Sequence, residues 1–81
     1  MEQPKELTLG MRRVRASFNP SSNADVDLIK SKVADLIDLC EDYRQRLHES
    51  PAKANEINRL MALAQTHFED AAMWAVKAVT A

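Results

Sequence analysis

From Val26 onward, apolar residues recur at alternating intervals of three and four: Val26, Ile29, Val33, Leu36, Cys40, Tyr43 and Leu47. That interval is the one-sided stripe of an amphipathic, heptad-like helix. Leu28, Ile37 and Leu39 fall off the stripe, so the apolar face is wider than one antiparallel neighbour covers. A second stripe runs through Ile57, Leu60, Ala64, His67 or Phe68, Ala71, Trp74 or Ala75, and Ala78. Residues 62–81 hold seven alanines, and small residues on several sides let helix axes approach closely. Phe68, Met61, Met73 and Trp74 then project from different faces.

Punctuation sets the boundaries. Pro20 turns Asn19 away from helix, and Ser22 or Asn23 is a good N-cap. Ser22 followed by Asp25 is a capping-box variant, and Asp25 and Asp27 suit a helix N-terminus. The first helix is therefore expected over about 24–48, with Asp42 and Arg46 as a solvated pair. Ser50 then stands as N-cap with Pro51 at the first helical position, which starts a second helix over about 52–79. So short a connection makes the helices antiparallel. Residues 1–16 show no clean period and are broken by Pro4 and Gly10. They read as an extended or partly disordered arm, with room for one short turn. The expected organisation is all-α: an N-terminal basic arm, 1–22, and an antiparallel two-helix hairpin, 23–81.

Eighty-one residues with one glycine, three prolines and one cysteine make a single helical domain. A chain this short is marginal unless something staples it. Cys40 alone makes no disulfide, and Cys40, His48 and His67 have no metal-ligand spacing. Association remains, so a homo-oligomer is expected. Met1–Gly10 is polar with no signal-peptide apolar run, no segment is apolar enough to span a bilayer, and a lone cysteine suits a reducing compartment. The expectation is a soluble cytoplasmic protein with no membrane partner.

Charge is uneven. Residues 1–16 carry Lys5, Arg12, Arg13 and Arg15 against Glu2 and Glu6, so this segment is +2 and, with the chain at −1, the remainder is −3. The whole chain lacks the basic excess that duplex nucleic acid requires, yet a local basic site suits a small anion. Enzyme readings fail for want of parts: there is no Gly-rich phosphate loop, nucleophile elbow or His-Glu-x-x-His motif. Cys40 on the stripe reads as a packed thiol, His67 as an interface histidine, and His48 as a helix-end residue. No cofactor is expected. What stands out is a basic-aromatic cluster: Arg12, Arg13, Arg15, Phe18, Asn19, Lys30 and Lys32. Arginine and lysine donate to phosphate, an aromatic stacks on a base, and asparagine reads base edges. The plainer alternative is a hydrophobic staple at Phe18 under a solvated tail, and residue pattern alone leaves the two open.

Three stretches read together carry a resemblance: Ser17-Phe18-Asn19-Pro20, the run Asp25–Ala34, and the run Leu63–Val79 with its Met73-Trp74. Over residues 17–81 the chain resembles the helical-hairpin family of phage proteins that sponge nucleotide second messengers. The best-known members oppose the cyclic-oligonucleotide-based (CBASS) immunity of bacteria, and a related hairpin occurs in sponges that oppose Thoeris immunity. The resemblance implies a hexamer of hairpins that sequesters cyclic dinucleotides such as 3′,3′-cGAMP, without cleaving them, in pockets between protomers. It places Phe18 on a base, Asn19 beside it, and Lys32 or Lys30 on phosphate, with Arg15 nearby. It also implies a possible cyclic trinucleotide site near Gln65, Thr66 and Glu69, where Gln65 stands in place of an expected arginine. The function so implied is an anti-CBASS sponge working in the cytoplasm of the infected host. The rivals are a sponge for cyclic ADP-ribose-type signals and a coiled-coil adaptor or structural protein that binds a host protein. A DNA-binding repressor lacks a third helix and a basic recognition helix.

Overall fold

In the computed structural model, which describes residues 6–81, three helices follow one another: α1 (Leu9–Arg13), α2 (Ala24–Gln45) and α3 (Pro51–Val79). Glu2, Lys5 and the rest of the first five residues lie outside the described ones. No strand occurs among the described residues. α2 and α3 form an antiparallel hairpin. The Asn23 side-chain amide donates to the Val79 carbonyl (3.2 Å) at one end, the Gln65 amide to the Ile37 carbonyl (3.1 Å) mid-way, and Arg44 Nε to Asn58 Oδ1 (3.2 Å) near the loop.

The caps fall close to where the sequence puts them, with differences. Asn23, not Ser22, caps α2 by accepting from the Asp25 amide at 2.8 Å. Ser22 instead takes a left-handed conformation, φ 54°, so the Ser22–Asp25 box does not form. α2 ends at Gln45, three residues before His48. Arg46 lies over the Tyr43 ring at 5.5 Å instead of pairing with Asp42. Ser50 occupies the N-cap of α3 with Pro51 in the first turn, although its hydroxyl makes no cap bond.

The arm is the larger departure. Rather than running extended, residues 9–13 form α1, which docks on α2. Its N-terminus is capped twice. Thr8 Oγ1 accepts from the Met11 amide (3.1 Å), and Asp38 of α2 accepts from the Gly10 amide (2.7 Å). Gly10 permits this approach, because a Cβ there would lie 2.1 Å from the Ala34 carbonyl oxygen. α1 ends in a Schellman motif: the Ala16 amide donates to the Met11 carbonyl (2.9 Å) and the Arg15 amide to that of Arg12 (3.2 Å). The left-handed position of this motif is usually glycine; here it is Arg15, φ 55°.

The core also differs from the apolar stripes. The buried face of α2 is Val26, Lys30, Ala34 and Ile37, and that of α3 is Gln65 and Ala72. Of the expected α2 stripe only Val26 is buried; Ile29, Val33, Cys40 and Leu47 are half-buried, and Leu36 and Tyr43 are exposed. Ile37, read as off the stripe, is fully buried. Val14 of the arm joins Ala34, Ile37 and Ala72, with Met11, Ala16, Val33 and Phe68 against them. Nearer the loop the two long helices meet through side-chain polar groups. Arg44 Nη1 donates to Gln65 Oε1 (2.9 Å), and Gln65 Nε2 donates to the Ile37 carbonyl and to Glu41 Oε1 (3.2 Å). Among the described residues no buried side-chain polar atom lacks a partner. Leu39 (60% exposed), Met73 (59%), Trp74 (58%) and Leu28 (56%) face outward. No helix among the described residues is long and apolar enough to cross a membrane.

Candidate functional site

A cleft of about 600 Å³ opens where the arm crosses from α2 to α3. Arg13, Val14, Arg15 and Lys30 form one wall, and the α3 face from Thr66 to Val76, including His67, Glu69, Asp70, Ala72 and Met73, forms the other. Three elements are needed to build it, and the docking of α1 at Gly10 brings the arginines of the arm over α3.

Each cation is held by internal partners, and Lys30 and Arg15 share Phe18. The Lys30 ammonium reaches under the turn and donates to the carbonyls of Arg15 (2.9 Å) and Phe18. Burial holds the Lys30 amine below its ordinary value, the Arg15 charge adds to that, and Asp27 opposes it. An ammonium has three protons, so Lys30 keeps a donor while it clamps the arm. The Arg15 guanidinium lies over the Phe18 ring, 4.4 Å from its centroid, and Lys30 Nζ is 5.6 Å from the same centroid. Arg13 Nε pairs with Glu69 Oε1 at 3.0 Å, and its Nη2 reaches Thr66 Oγ1 at 3.4 Å.

Phe18 is half-exposed (52%) and stands outside the apolar core, so it is not a buried staple. It lines a second, shallower hollow with Leu7, Met11, Arg12, Ala16 and Ser17, and Arg15 borders both hollows. Asn19 braces the turn. Its amide nitrogen donates to the Asn23 carbonyl (2.8 Å) and to Asp27 Oδ1 (3.1 Å), and its oxygen accepts from Ser21 (2.8 Å). Both amide hydrogens of Asn19 are thus used within the turn. Lys32 is exposed. It lies roughly 200° around α2 from Lys30, at about 100° per residue, on the side away from the cleft.

The structure also separates the three second-helix residues that the sequence grouped. Thr66 and Glu69 line the cleft. Gln65 points the other way and is fully buried, with both amide atoms bonded inside the hairpin. Conversely, the sequence marks Arg13 only as part of a basic run. Its distinguishing signal is long-range, because α1 must form and dock before Arg13 meets Glu69, 56 residues away.

A family model described as the Acb2/Tad1 hairpin domain matches residues 11–80. The chain belongs to the Acb2/Tad1 hairpin family. Membership supports a function of the nucleotide-sponge type, the binding of a small nucleotide ligand. The matched span takes in most of α1, the Arg15–Phe18 turn and both long helices, and therefore the whole lining of the cleft. No curated protein and no solved structure matches the chain. Among the described residues no group of three His, Cys, Asp or Glu side chains is placed to hold a metal ion.

Proposed function

We propose that this protein is a phage-encoded anti-CBASS sponge. It sequesters cyclic oligonucleotide messengers, above all cyclic dinucleotides such as 3′,3′-cGAMP, without cleaving them, in the cytoplasm of the infected host. One observation carries the reading: a half-exposed aromatic ring, Phe18, topped by Arg15 and standing beside a cleft whose wall bears Arg13 and Lys30, on a hairpin of the Acb2/Tad1 family. A flat ring offers a stacking face to any base. Guanidinium groups match phosphate oxygens in pairs. Sequestration needs slow release and no transition state to stabilise.

Phe18 and Arg15 stack and neutralise the ligand, Lys30 holds the turn and offers its remaining proton, and Asn19 braces the loop that presents the ring. Lys32 faces away from this cleft, so in the proposal it serves a pocket completed by a second chain. The outward Leu28, Leu39, Met73 and Trp74 form the kind of apolar surface that a further copy covers, and the homo-oligomer, a hexamer by family resemblance, rests on that surface. Cyclic trinucleotides are the second ligand class by family resemblance, and Thr66 and Glu69, the residues assigned to them, line the same cleft. Gln65 supports that region from inside the seam.

Isothermal titration with 3′,3′-cGAMP, alongside a panel of cyclic trinucleotides and cyclic ADP-ribose isomers, tests the reading. Heat of binding and recovery of intact ligand after denaturation are expected. Phe18→Ala should weaken dinucleotide binding about tenfold, in line with roughly 1–3 kcal/mol per stacked base, and Lys32→Ala should weaken it through loss of a charge-assisted phosphate contact, while light scattering reports the same oligomer. Silence across the whole panel, together with a stoichiometric host protein in pull-down, would replace the sponge with an adaptor.

A further inference from the structure

The three cations of the cleft wall are not equivalent. Lys30 faces two carbonyl dipoles and Arg15 faces an aromatic ring. Arg13 alone of the three is hydrogen-bonded to a full negative charge, Glu69, at 3.0 Å. That pair is partly open to solvent, with side chains 25% and 42% exposed, and exposed pairs contribute little to folding. It is also single-pronged: Arg13 uses Nε on one carboxylate oxygen, while Nη2 turns to the Thr66 hydroxyl. Guanidinium binds carboxylate or phosphate more strongly through two parallel bonds. The pair is therefore weak where stability is concerned, and both of its members line the cleft.

A phosphate that binds Arg13 in this cleft must compete with the Glu69 carboxylate already bonded to it. We infer that Glu69 is an internal counter-anion, which occupies Arg13 in the empty cleft and gives way to a phosphate of the incoming ligand. Arg13 is then a ligand-binding residue, and Glu69 sets the threshold for entry. An anion with one weakly held charge does not displace a carboxylate already in place. A nucleotide that also stacks on Phe18 brings its phosphate at high local concentration and does. Asp70, on the same wall, adds to the repulsion of anions but makes no bond to Arg13 in the structure. This inference rests on the sponge reading, since it needs a phosphate-bearing ligand in the cleft.

Four chains test it by titration with 3′,3′-cGAMP: wild type, Glu69→Gln, Arg13→Gln and the double variant. Glutamine at 69 keeps an oxygen for Arg13 Nε and removes the charge. Glu69→Gln should bind at least threefold tighter and Arg13→Gln at least fivefold weaker. The gain from Glu69→Gln should vanish when Arg13 is already absent, and circular dichroism should match in all four. Equal or weaker binding by Glu69→Gln, with the wild type binding normally, overturns the inference and leaves the sponge reading intact. A gain that persists in the double variant also overturns it, because Glu69 would then act by general repulsion and not through Arg13. Binding by Glu69→Gln alone supports a gate that is closed in the wild type. No heat from any of the four chains with any cyclic nucleotide brings down both.

Discussion

Towards the chain ends, the hairpin closes over apolar groups: Val14 of the arm, Ala34 and Ile37 of α2, and Ala72 and Phe68 of α3. Towards the loop, the same two helices meet through Arg44, Glu41, Asn58 and Gln65. The difference is the third helix. Where α1 docks on α2, the arm adds Val14 to the apolar cluster, and the burial of Val14 and its neighbours contributes hydrophobic stabilisation. Where α1 does not reach, hydrogen bonds centred on the fully buried Gln65 do the joining. Each such bond adds little net stability but is costly to leave unmade. The loop half is thus better suited to fixing register than to holding the fold together.

The contrast can be broken most severely at Gly10. Gly10→Ala should push α1 off Ala34, since the new methyl would meet a backbone oxygen. Overpacking of this kind costs roughly 1–3 kcal/mol, and at about 4–8 °C per kcal/mol for a domain of this size the melting temperature should drop by about 10 °C. The arm should become susceptible to limited proteolysis, and ligand binding should fall because Arg13 and Arg15 leave the cleft. A melting temperature within a degree or two of wild type would show that the arm contributes little to the core.

A smaller effect is expected in the polar half. Gln65→Leu removes a partner from Arg44 and from Glu41, while Arg44 keeps Asn58, Glu41 keeps Gln45 and the Ile37 carbonyl keeps its helical bond, so it should cost about 1–2 kcal/mol, the low end of the usual range for an unmade bond. It should also change the acid limb. The Gln65 amide, then that of Gln45, holds the Glu41 carboxyl below its ordinary 4.5, with Arg44 and Arg13 assisting and burial opposing. A carboxyl depressed in the folded state stabilises the protein above its ordinary pKa, and that stability is lost as pH falls through the folded value. Denaturant midpoints of the wild type should therefore decline below about pH 4.5, and those of Gln65→Leu should decline less. Parallel acid limbs would remove Glu41 from the explanation.

The smallest expected change has the opposite sign. Arg15 is left-handed where glycine is at ease, at a cost of about 1 kcal/mol. Arg15→Gly should raise stability by about that much while weakening ligand binding, because the guanidinium over Phe18 is lost. A variant that gains stability and keeps full affinity would show that Arg15 serves the turn only. Strain retained at a single residue in this way is commonest at functional sites.

How far the sequence alone reaches follows the same division. The two long helices, a cap at Ser22 or Asn23, the start at Ser50-Pro51 and the antiparallel turn were legible, because each depends on neighbours a few residues away. The true seam was not. Lys30, Ala34, Glu41, Arg44 and Gln65 carry no hydropathy signal, so the periodicity followed Leu36 and Tyr43, which face outward. α1 was missed because five residues containing a glycine have no helix signature of their own; docking at Ala34 and a cap from Asp38 hold it. Phe18, Arg15 and Lys30 were picked out as chemistry-bearing and do lie together. The pairing of Arg13 with Glu69 is a product of tertiary geometry, and so is the removal of Gln65 from the surface.

The connection between the long helices, residues 46–50, stands at the far end of the hairpin from the cleft. Thr66, the cleft residue nearest to it along α3, is fifteen positions beyond Pro51, or about 22 Å of helix. A fluorophore or purification handle grafted between Arg46 and Ser50 would sit out of reach of a captured nucleotide, while a label on the arm would not. That separation makes the molecule a convenient starting frame for a reagent that reports or depletes its ligand inside living cells.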